Sequence, residues 1–428
     1  MTEQHPIDVL RERGFIQDIT DEKGLRQLLS AERVTFYVGF DPTAPSLHIG
    51  NLVGMMAMAW LQRAGHRPIA VAGGGTGRIG DPSGRDEERE LLDDVAIGAN
   101  LDRIKEQLSR VIDVSDPDVG LVVDNHEWLS ELGFVEVLRD VGKHFSVNQM
   151  ISREAVRRRL EEREQGISFT EFSYQVLQAY DFAHLYTAYG CRLQGGGSDQ
   201  WGNVTAGVDL TRRLHDAEVF GFVWPLIELS DGRKFSKSIG TAVWLAADAT
   251  SPYAYYQWFL NIPDIDVDRF LRIYTFLPLD EIKQLEHQTT ADPPARAGQR
   301  ALAREATRII HGDEGLEAAE RATEILFGEQ PFTDLDDRTL ADAFESAPSV
   351  ELSRKGLEQG IGLLELMVSL DAASSNAEAR RLVSQGGVSL NNVKIDDVGC
   401  QIGPADLASE STLVIRVGKK RYFLARFV

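Results

Sequence analysis

Hydrophobic positions fall first into short unbroken runs and later into helical spacings. Residues 34–40, VTFYVGF, combine β-branched and aromatic side chains and run into DPTAPS, which predicts a buried strand ending in a loop. From His48 to Ala64 apolar residues cover more than one face of a helix, with Gly65 where a C-terminal cap belongs. PIAVA at 68–72 and LVVD at 121–124 predict two further strands, the last ending in Asp124 and Asn125. Such β-α-β spacing predicts a doubly wound parallel sheet with ligands at the carboxyl ends of its strands.

Beyond the sheet the pattern changes. MISREAVRRRLEEREQ at 150–165 predicts a highly charged helix, and 169–189 an aromatic-rich one, both inserted between sheet strands. After glycines 195–197, helical spacing dominates from about 250 to 345. Ser375 to Glu378 reads as a capping box opening a short helix that ends at Gly386. The strands VSL and VKI follow around Asn391 and Asn392, and LVIRVGKKRYFLARF suits a hairpin over Gly418 and Lys419. The expected fold class is α/β: a Rossmann-like doubly wound parallel sheet, then an α-helical domain and a small α+β domain. The expected boundaries are 1–228 with inserted helices at about 130–190, 229–345, a linker at 346–360, and 361–428.

Composition narrows the class. A chain of 428 residues with 43% hydrophobic and 26% charged residues is neither one small module nor globally disordered. Cys191 and Cys400 are too few and too distant for a disulfide framework or a thiolate metal site, which fits a reducing cytosol. The start, MTEQHPIDVLRERGF, has no secretory pattern, and the apolar stretch 52–61 falls short of a membrane span, so a cytoplasmic location is expected. With 45 basic and 66 acidic residues, the net charge of -21 argues at face value against a polyanionic partner.

Several segments can carry chemistry, and each has a bland alternative. GGGTGRIGDPSGR at 73–85 follows a strand directly, so its backbone can lie flat against a ligand, or it is an ordinary crossover loop. Within it Asp81 can accept from an ammonium or hydroxyl group, or cap a turn. His48, Gly50 and Asn51 stand at a helix start, where free N–H groups and the helix dipole favour phosphate, although such residues are also common structural choices. Lys234 and Lys237 flank Phe235 and Ser236 in DGRKFSKSIG, which suits a polyphosphate clamp or a solvated hairpin. Tyr174, Gln178 and Asp181 share one helix face, either a binding stripe or the solvent side. Asp199 and Gln200 follow Gly195–Gly197 at another strand end, or are simply polar loop residues.

Taken together, these motifs resemble those of the class I aminoacyl-tRNA synthetases, with HIGN for the family's HIGH motif and KFSKS for its KMSKS loop. Within that class the chain is similar to the bacterial tyrosyl-tRNA synthetases, through YVGFDPTAPSLHIGN, GGTGRIGDPSGR, FTEFSYQVLQAYDF and QGGGSDQWGN. The resemblance implies a ligase that activates L-tyrosine with ATP and Mg2+, without a tightly bound cofactor or a metal held by the protein, and passes tyrosine to tRNA. It implies that Tyr174, Gln178 and Asp81 hold the α-ammonium, while Tyr37 and Asp181 bind the phenol hydroxyl. Gln200 would lie near the reacting carboxylate and Asp199 near the ribose, with Asp41 and Thr43 close by. His48, Gly50, Asn51, Lys234 and Lys237 would serve ATP and the leaving pyrophosphate.

Three departures stand out: Asn51 in place of the second His, Phe235 in place of Met, and Gly54, which removes a side chain near the expected ribose site. An Asn amide can still donate to a ribose hydroxyl. The resemblance also implies a homodimer, with Arg153, Arg157, Arg158, Arg212 and Arg213 as candidates for the tRNA acceptor arm. The C-terminal segment resembles an RNA-binding fold shared with a ribosomal small-subunit protein, in which Arg380, Arg381 and Lys394 would face RNA; a cap that merely packs on the body is the alternative. A catalytically silent RNA-binding relative and a nucleotidyltransferase are the competing functions. Charge distribution removes the first objection to RNA: residues 351–428 hold 10 basic and 9 acidic groups, and the last eighteen hold five basic and no acidic one.

Overall fold

The computed structural model describes the chain except for residues 1–3, 82, 84–93, 154–155, 158–159, 162–165, 231–241, 329, 334 and 419–420. Lys234, Lys237, Arg158, Lys419 and much of the charged 150–165 segment therefore lie outside the described residues. The chain forms two compact units, one of residues 1–246 and 260–310, the other of 247–259 and 311–428.

The first unit is built on β1 (Asp18–Ile19), β2 (Thr35–Phe40), β3 (Arg67–Ala72), β4 (Leu121–Asp124), β5 (Cys191–Gly197) and β6 (Phe220–Trp224). Their order is β1-β6-β5-β2-β3-β4, with β2 to β6 parallel and the two-residue β1 antiparallel at the edge. The three expected strands are the β2-β3-β4 half. β5 and β6 form the other half, because FGFVW is buried along its whole length and must be covered on both faces. The chain leaves β2 in one direction for β3 and β4 and returns beside it with β5, so the switch point lies between β2 and β5, where Tyr37 pairs with Gln194.

The helix Ile49–Arg63 connects β2 to β3 and is buried nearly all round, from Ile49, Leu52 and Val53 to Met55, Met56, Met58 and Leu61. Among these, Gly54 has a packing reason: a β-carbon there would come within 3.0 Å of the Trp224 ring and 3.6 Å of Val38. The aromatic helix Phe169–Tyr189 ends in a left-handed Gly190 and packs beside the helix Trp201–His215.

The second unit starts at Ala247, takes in the helix Pro252–Leu260 up to Phe259 and resumes at His311, next to the Gly312 kink (φ 71°) in Ala297–Phe327. The expected helical region thus supplies both units: its 260–310 stretch belongs with the parallel sheet. β7 (Ser349–Leu352) lies inside the expected linker and pairs in parallel with β13 (Arg421–Phe427). The pairing gives the 346–360 stretch a structural role in the terminal domain. β8 (Ile361–Gly362) pairs with β11 (Gln401–Ile402), while β9 (Val388–Leu390), β10 (Val393–Ile395) and β12 (Thr412–Val417) complete the sheet β10-β9-β12-β13-β7. Asn391 and Asn392 both take positive φ, as a two-residue hairpin turn requires. Ser375 caps its helix by accepting from the Glu378 N–H, whereas the Glu378 carboxylate accepts from Ser374 rather than Ser375.

Candidate active site

Around the carboxyl ends of the parallel strands lie Asp41 after β2, Asp81 after β3, Asp124 at the end of β4 and Asp199 after β5, with Asp181 entering from a helix. Asp181, on the 169–189 helix, is 3% exposed and accepts from Asn125 Nδ2 at 2.9 Å and Trp128 Nε1 at 2.7 Å. His184 stacks on Trp128 at 4.5 Å. Burial pushes the Asp181 carboxyl up to about 7, and Asp41 adds to the rise against the lowering by Asn125 and Trp128. Tyr37 is buried beside it, its hydroxyl has no hydrogen-bond partner among the described residues, and burial followed by the Asp181 charge drives its ionisation well above the ordinary range.

A second cluster lies around Asp81. Its Oδ1 accepts from Ser83 N–H at 2.9 Å and its Oδ2 from Gln200 Nε2 at 2.6 Å, while Asn203 Nδ2 donates to Gln200 Oε1 at 3.0 Å. Burial lifts Asp81 to about 6, with Asp41 adding to the rise. Gln200, expected at the reacting carboxylate, is thus also the residue that orients Asp81. The Tyr174 hydroxyl donates to Asp41 Oδ2 at 3.0 Å, so its one hydrogen is committed and its oxygen can only accept elsewhere. Asp41 Oδ1 accepts from Thr76 Oγ1 at 2.8 Å, so Asp41, expected on the ATP side, supports Tyr174. Gln178 completes the group with a buried Oε1 that has no partner among the described residues. Because Tyr174 and Asp181 are buried, their helix stripe is an inward face.

The glycine cluster serves these side chains as much as any ligand. A β-carbon on Gly73 would lie 2.1 Å from Asp41 Oδ1, and one on Gly74 2.3 Å from Asp124 Oδ1. Gly74 N–H donates to Asp124 and Gly75 N–H to Asn125 Oδ1.

At the start of the 49–63 helix, His48 is the N-cap. Its Nδ1 accepts from Gly50 N–H at 3.0 Å, so a neutral imidazole carries its hydrogen on Nε2. Asn51 Oδ1 accepts from His48 N–H at 3.1 Å, which leaves the Asn51 amide nitrogen as the donor end. A β-carbon on Gly50 would lie 2.8 Å from the His48 ring, so this glycine first accommodates the capping imidazole.

Both described flanks of 231–241 are anchored. Ser230 gives its N–H and hydroxyl to the buried Asp266 at 2.9 and 2.7 Å. On the other side Ile49 N–H donates to Val243 O at 3.1 Å and Leu245 N–H to Leu47 O at 2.8 Å. Tyr274, at the end of the helix that begins just after Asp266, donates its hydroxyl to Ile49 O at 3.1 Å. Asp199, half-buried after β5, has its carboxyl raised by burial.

The candidate RNA residues separate from this interior. Arg212 and Arg213 are exposed in the last turn of their helix, and Arg212 pairs with Asp209 at 2.9 Å. Arg380, Arg381 and Lys394 are exposed in the second unit. Arg153 is different: burial lowers the ionisation of its guanidinium, and a β-carbon on Gly202 would meet it at 3.4 Å.

Sequence reasoning missed Thr76, Trp128, Asp266 and Tyr274, and noted Asn125 only as a strand end. Asn125 could have been found from its position at the carboxyl end of a parallel strand. The others lie in helices or turns whose approach to the site depends on packing.

A parallel sheet with its crevice at the β2–β5 switch point, and a His-x-Gly-Asn helix start beside it, is the arrangement of a class I tRNA synthetase. The family model for tRNA synthetases class I (W and Y) matches residues 29–328, and that for the tyrosine–tRNA ligase SYY-like C-terminal domain matches 339–425. The chain is 47% identical over 424 residues to the tyrosine–tRNA ligase of Roseiflexus castenholzii, covering 99% of each chain. It is 45% identical over 428 residues to that of Bacillus caldotenax, covering 98% of this chain and 100% of the other. A C-terminally truncated mitochondrial tyrosyl-tRNA synthetase of Aspergillus nidulans superimposes with a TM-score of 0.68 at 32% identity, covering 76% of this chain and 95% of that one. The chain belongs to the tyrosine–tRNA ligase family.

Proposed function

We propose that the chain activates L-tyrosine with ATP and transfers it to the 3′ end of its tRNA. The supporting observation is a set of buried acceptors. Among the described residues, neither Asp81 nor Asp181 is bonded to a lysine or arginine. Tyr174 and Gln178 also present oxygens that accept, and an ammonium with three donors suits Asp81, Tyr174 and Gln178. A phenol hydroxyl suits Tyr37 and Asp181. Phenylalanine would bring no hydroxyl to meet the buried Tyr37 hydroxyl and the Asp181 carboxylate, a mode of rejection for which the tyrosine enzymes are themselves the standard case.

In the first step the tyrosine carboxylate oxygen attacks the α-phosphorus of ATP, the bond to the β-phosphate oxygen breaks, and pyrophosphate leaves. Catalysis is positioning and charge stabilisation, without an enzyme nucleophile. The roles proposed are the phosphates for His48 Nε2–H, Lys234 and Lys237, the nucleotide for Gly50 and Asn51, the ribose for Asp199, and the carboxylate end for Gln200, which also orients Asp81. Magnesium enters with ATP, held mainly by phosphate oxygens and water. In the second step the terminal ribose hydroxyl of tRNA attacks the carbonyl carbon and AMP leaves.

Arg153, Arg157, Arg158, Arg212 and Arg213 are the proposed acceptor-arm contacts, and Arg380, Arg381 and Lys394 the contacts of the terminal domain. The proposed state is a homodimer, supported by Phe134, Val135, Leu138, Val147, Ile151 and Phe169, apolar yet exposed within one segment of the single chain. The proposed location is the cytoplasm; among the described residues no helix is long and apolar enough to cross a membrane.

The test is exchange of labelled pyrophosphate into ATP with each standard amino acid. Exchange with tyrosine is expected, and its absence overturns the reading in favour of a silent RNA-binding relative. Lys237→Ala should lower the exchange rate by about a hundredfold or more, with a much smaller change in tyrosine affinity, because its contact matters in the transition state. An unchanged rate would remove Lys237 from the site.

A further inference from the structure

The two ends of the amino-acid pocket are joined by one hydrogen-bonded chain, buried at Asp181, Asn125 and Thr76 and part-buried at Asp41, and its geometry fixes every donor. The Asn125 amide nitrogen has two hydrogens: one goes to Asp181 Oδ2 at 2.9 Å, the other to Thr76 Oγ1 at 3.0 Å. The Thr76 hydroxyl passes its own hydrogen to Asp41 Oδ1 at 2.8 Å. The other oxygen of Asp41 accepts from Tyr174. Asn125 Oδ1 is meanwhile held by the N–H groups of Gly75 at 2.8 Å and Thr76 at 3.4 Å, so the amide cannot flip without setting donor against donor.

Thr76 is 2% exposed and Asn125 1% exposed, so water cannot readily substitute for a missing link. Four elements meet in this chain: the end of β4, the glycine-rich turn, the loop after β2 and the 169–189 helix.

We infer that Thr76 is a positioning residue that couples recognition of the substrate's phenol hydroxyl to the orientation of its α-ammonium. This rests on the tyrosine reading above. A hydroxyl donating to Asp181 changes how strongly that carboxylate draws on the Asn125 N–H. That in turn changes the Thr76 hydroxyl, its bond to Asp41, and the orientation of the Tyr174 oxygen. Tyrosine therefore gains over phenylalanine at the reacting end as well as at the ring, since only the hydroxylated substrate sets the whole chain.

The test measures kcat/KM for tyrosine and phenylalanine in pyrophosphate exchange by the full-length chain, in Thr76→Val, Thr76→Ser, Tyr174→Phe and the Thr76→Val/Tyr174→Phe pair. Valine keeps the shape of threonine without the hydroxyl. Thr76→Val should lower the tyrosine-to-phenylalanine ratio by about tenfold, and serine should restore it. Tyr174→Phe, although at the ammonium end, should also lower the ratio by several-fold, and should lower it no further in the Thr76→Val background.

A merely structural threonine would slow both substrates alike and leave the ratio where it was; that result overturns the inference. So does a Tyr174→Phe effect on the ratio that is absent with Thr76 present or equal in the two backgrounds. If Thr76→Val does not fold, Thr76→Ser and Tyr174→Phe decide: a ratio unmoved by Tyr174→Phe rejects the coupling. Loss of tyrosine exchange by the unaltered chain would instead reject the underlying tyrosine reading.

Discussion

The amino-acid pocket and the terminal domain use charge in opposite ways. In the pocket Asp81 and Asp181 are buried, and desolvation raises them to about 6 and about 7. On the terminal domain Arg380, Arg381 and Lys394 are exposed, and Arg381 lies 3.7 Å from Glu378. A charge-assisted bond in the dry interior is directional and hard to replace, so it discriminates one hydroxyl or ammonium from another. A solvated cation is screened within a Debye length, so it adds affinity for any nearby phosphate and little discrimination.

Asp181→Asn should give the largest contrast. An amide presents one acceptor where two donors, Asn125 Nδ2 and Trp128 Nε1, point inward, so the tyrosine-to-phenylalanine ratio in exchange should fall by about a hundredfold. An unmoved ratio would detach Asp181 from the phenol.

The pH response sharpens the comparison. Asp81 keeps its proton up to about 6 in the folded chain, against 3.8 for an ordinary carboxyl. Between those values the folded state binds a proton that the unfolded state has lost, so the Asp81 contribution to stability falls as pH rises through the window. Tyrosine binding moves the other way, because the ammonium needs the ionised Asp81 and the phenol hydroxyl the ionised Asp181: affinity should climb as pH rises through about 6 and about 7 and then level off. Calorimetric titration at a series of pH values checks this, and a flat profile would contradict it.

Tyr37→Phe should separate function from stability. Tyrosine kcat/KM should fall about tenfold, whereas removing a buried, unpartnered hydroxyl should raise unfolding stability by about 1 kcal/mol. Denaturant melts and exchange kinetics on the same preparation test both signs.

The smallest effect belongs to the surface. Replacing Arg380, Arg381 and Lys394 together by alanine should weaken tRNA binding by several-fold at low salt and reduce the slope of log affinity against log salt by about 2. Pocket variants should leave that slope alone; if Asp181→Asn changes it, the division between interior and surface charge fails.

How much was legible follows the same division. Residues 34–40, 68–72 and 121–124 matched β2, β3 and β4 closely because a buried parallel strand needs an unbroken apolar run. The terminal hairpins were legible because Asn391, Asn392 and Gly418 supply positive φ at their turns. β7 was not, since Ser349–Leu352 is only half-covered and its strand character comes from pairing with the end of the chain. The resemblance marks Gly54 as a missing side chain near the expected ribose site, but that Trp224, 170 residues away in sequence, packs against it is not legible from the sequence.

The amino-acid order by itself determined the elements, the residue types at the phosphate and tyrosine sites, and a basic tail on an acidic chain. These depend on period, turn chemistry and composition, which are local. Only the tertiary structure decided that Asp41 supports Tyr174, that Asn125 and Thr76 join Asp181 to Asp41, and that Tyr274 holds the start of the 49–63 helix. Hydrogen-bond direction and desolvation belong to groups brought together from distant parts of the chain, and no local pattern encodes which of them will meet.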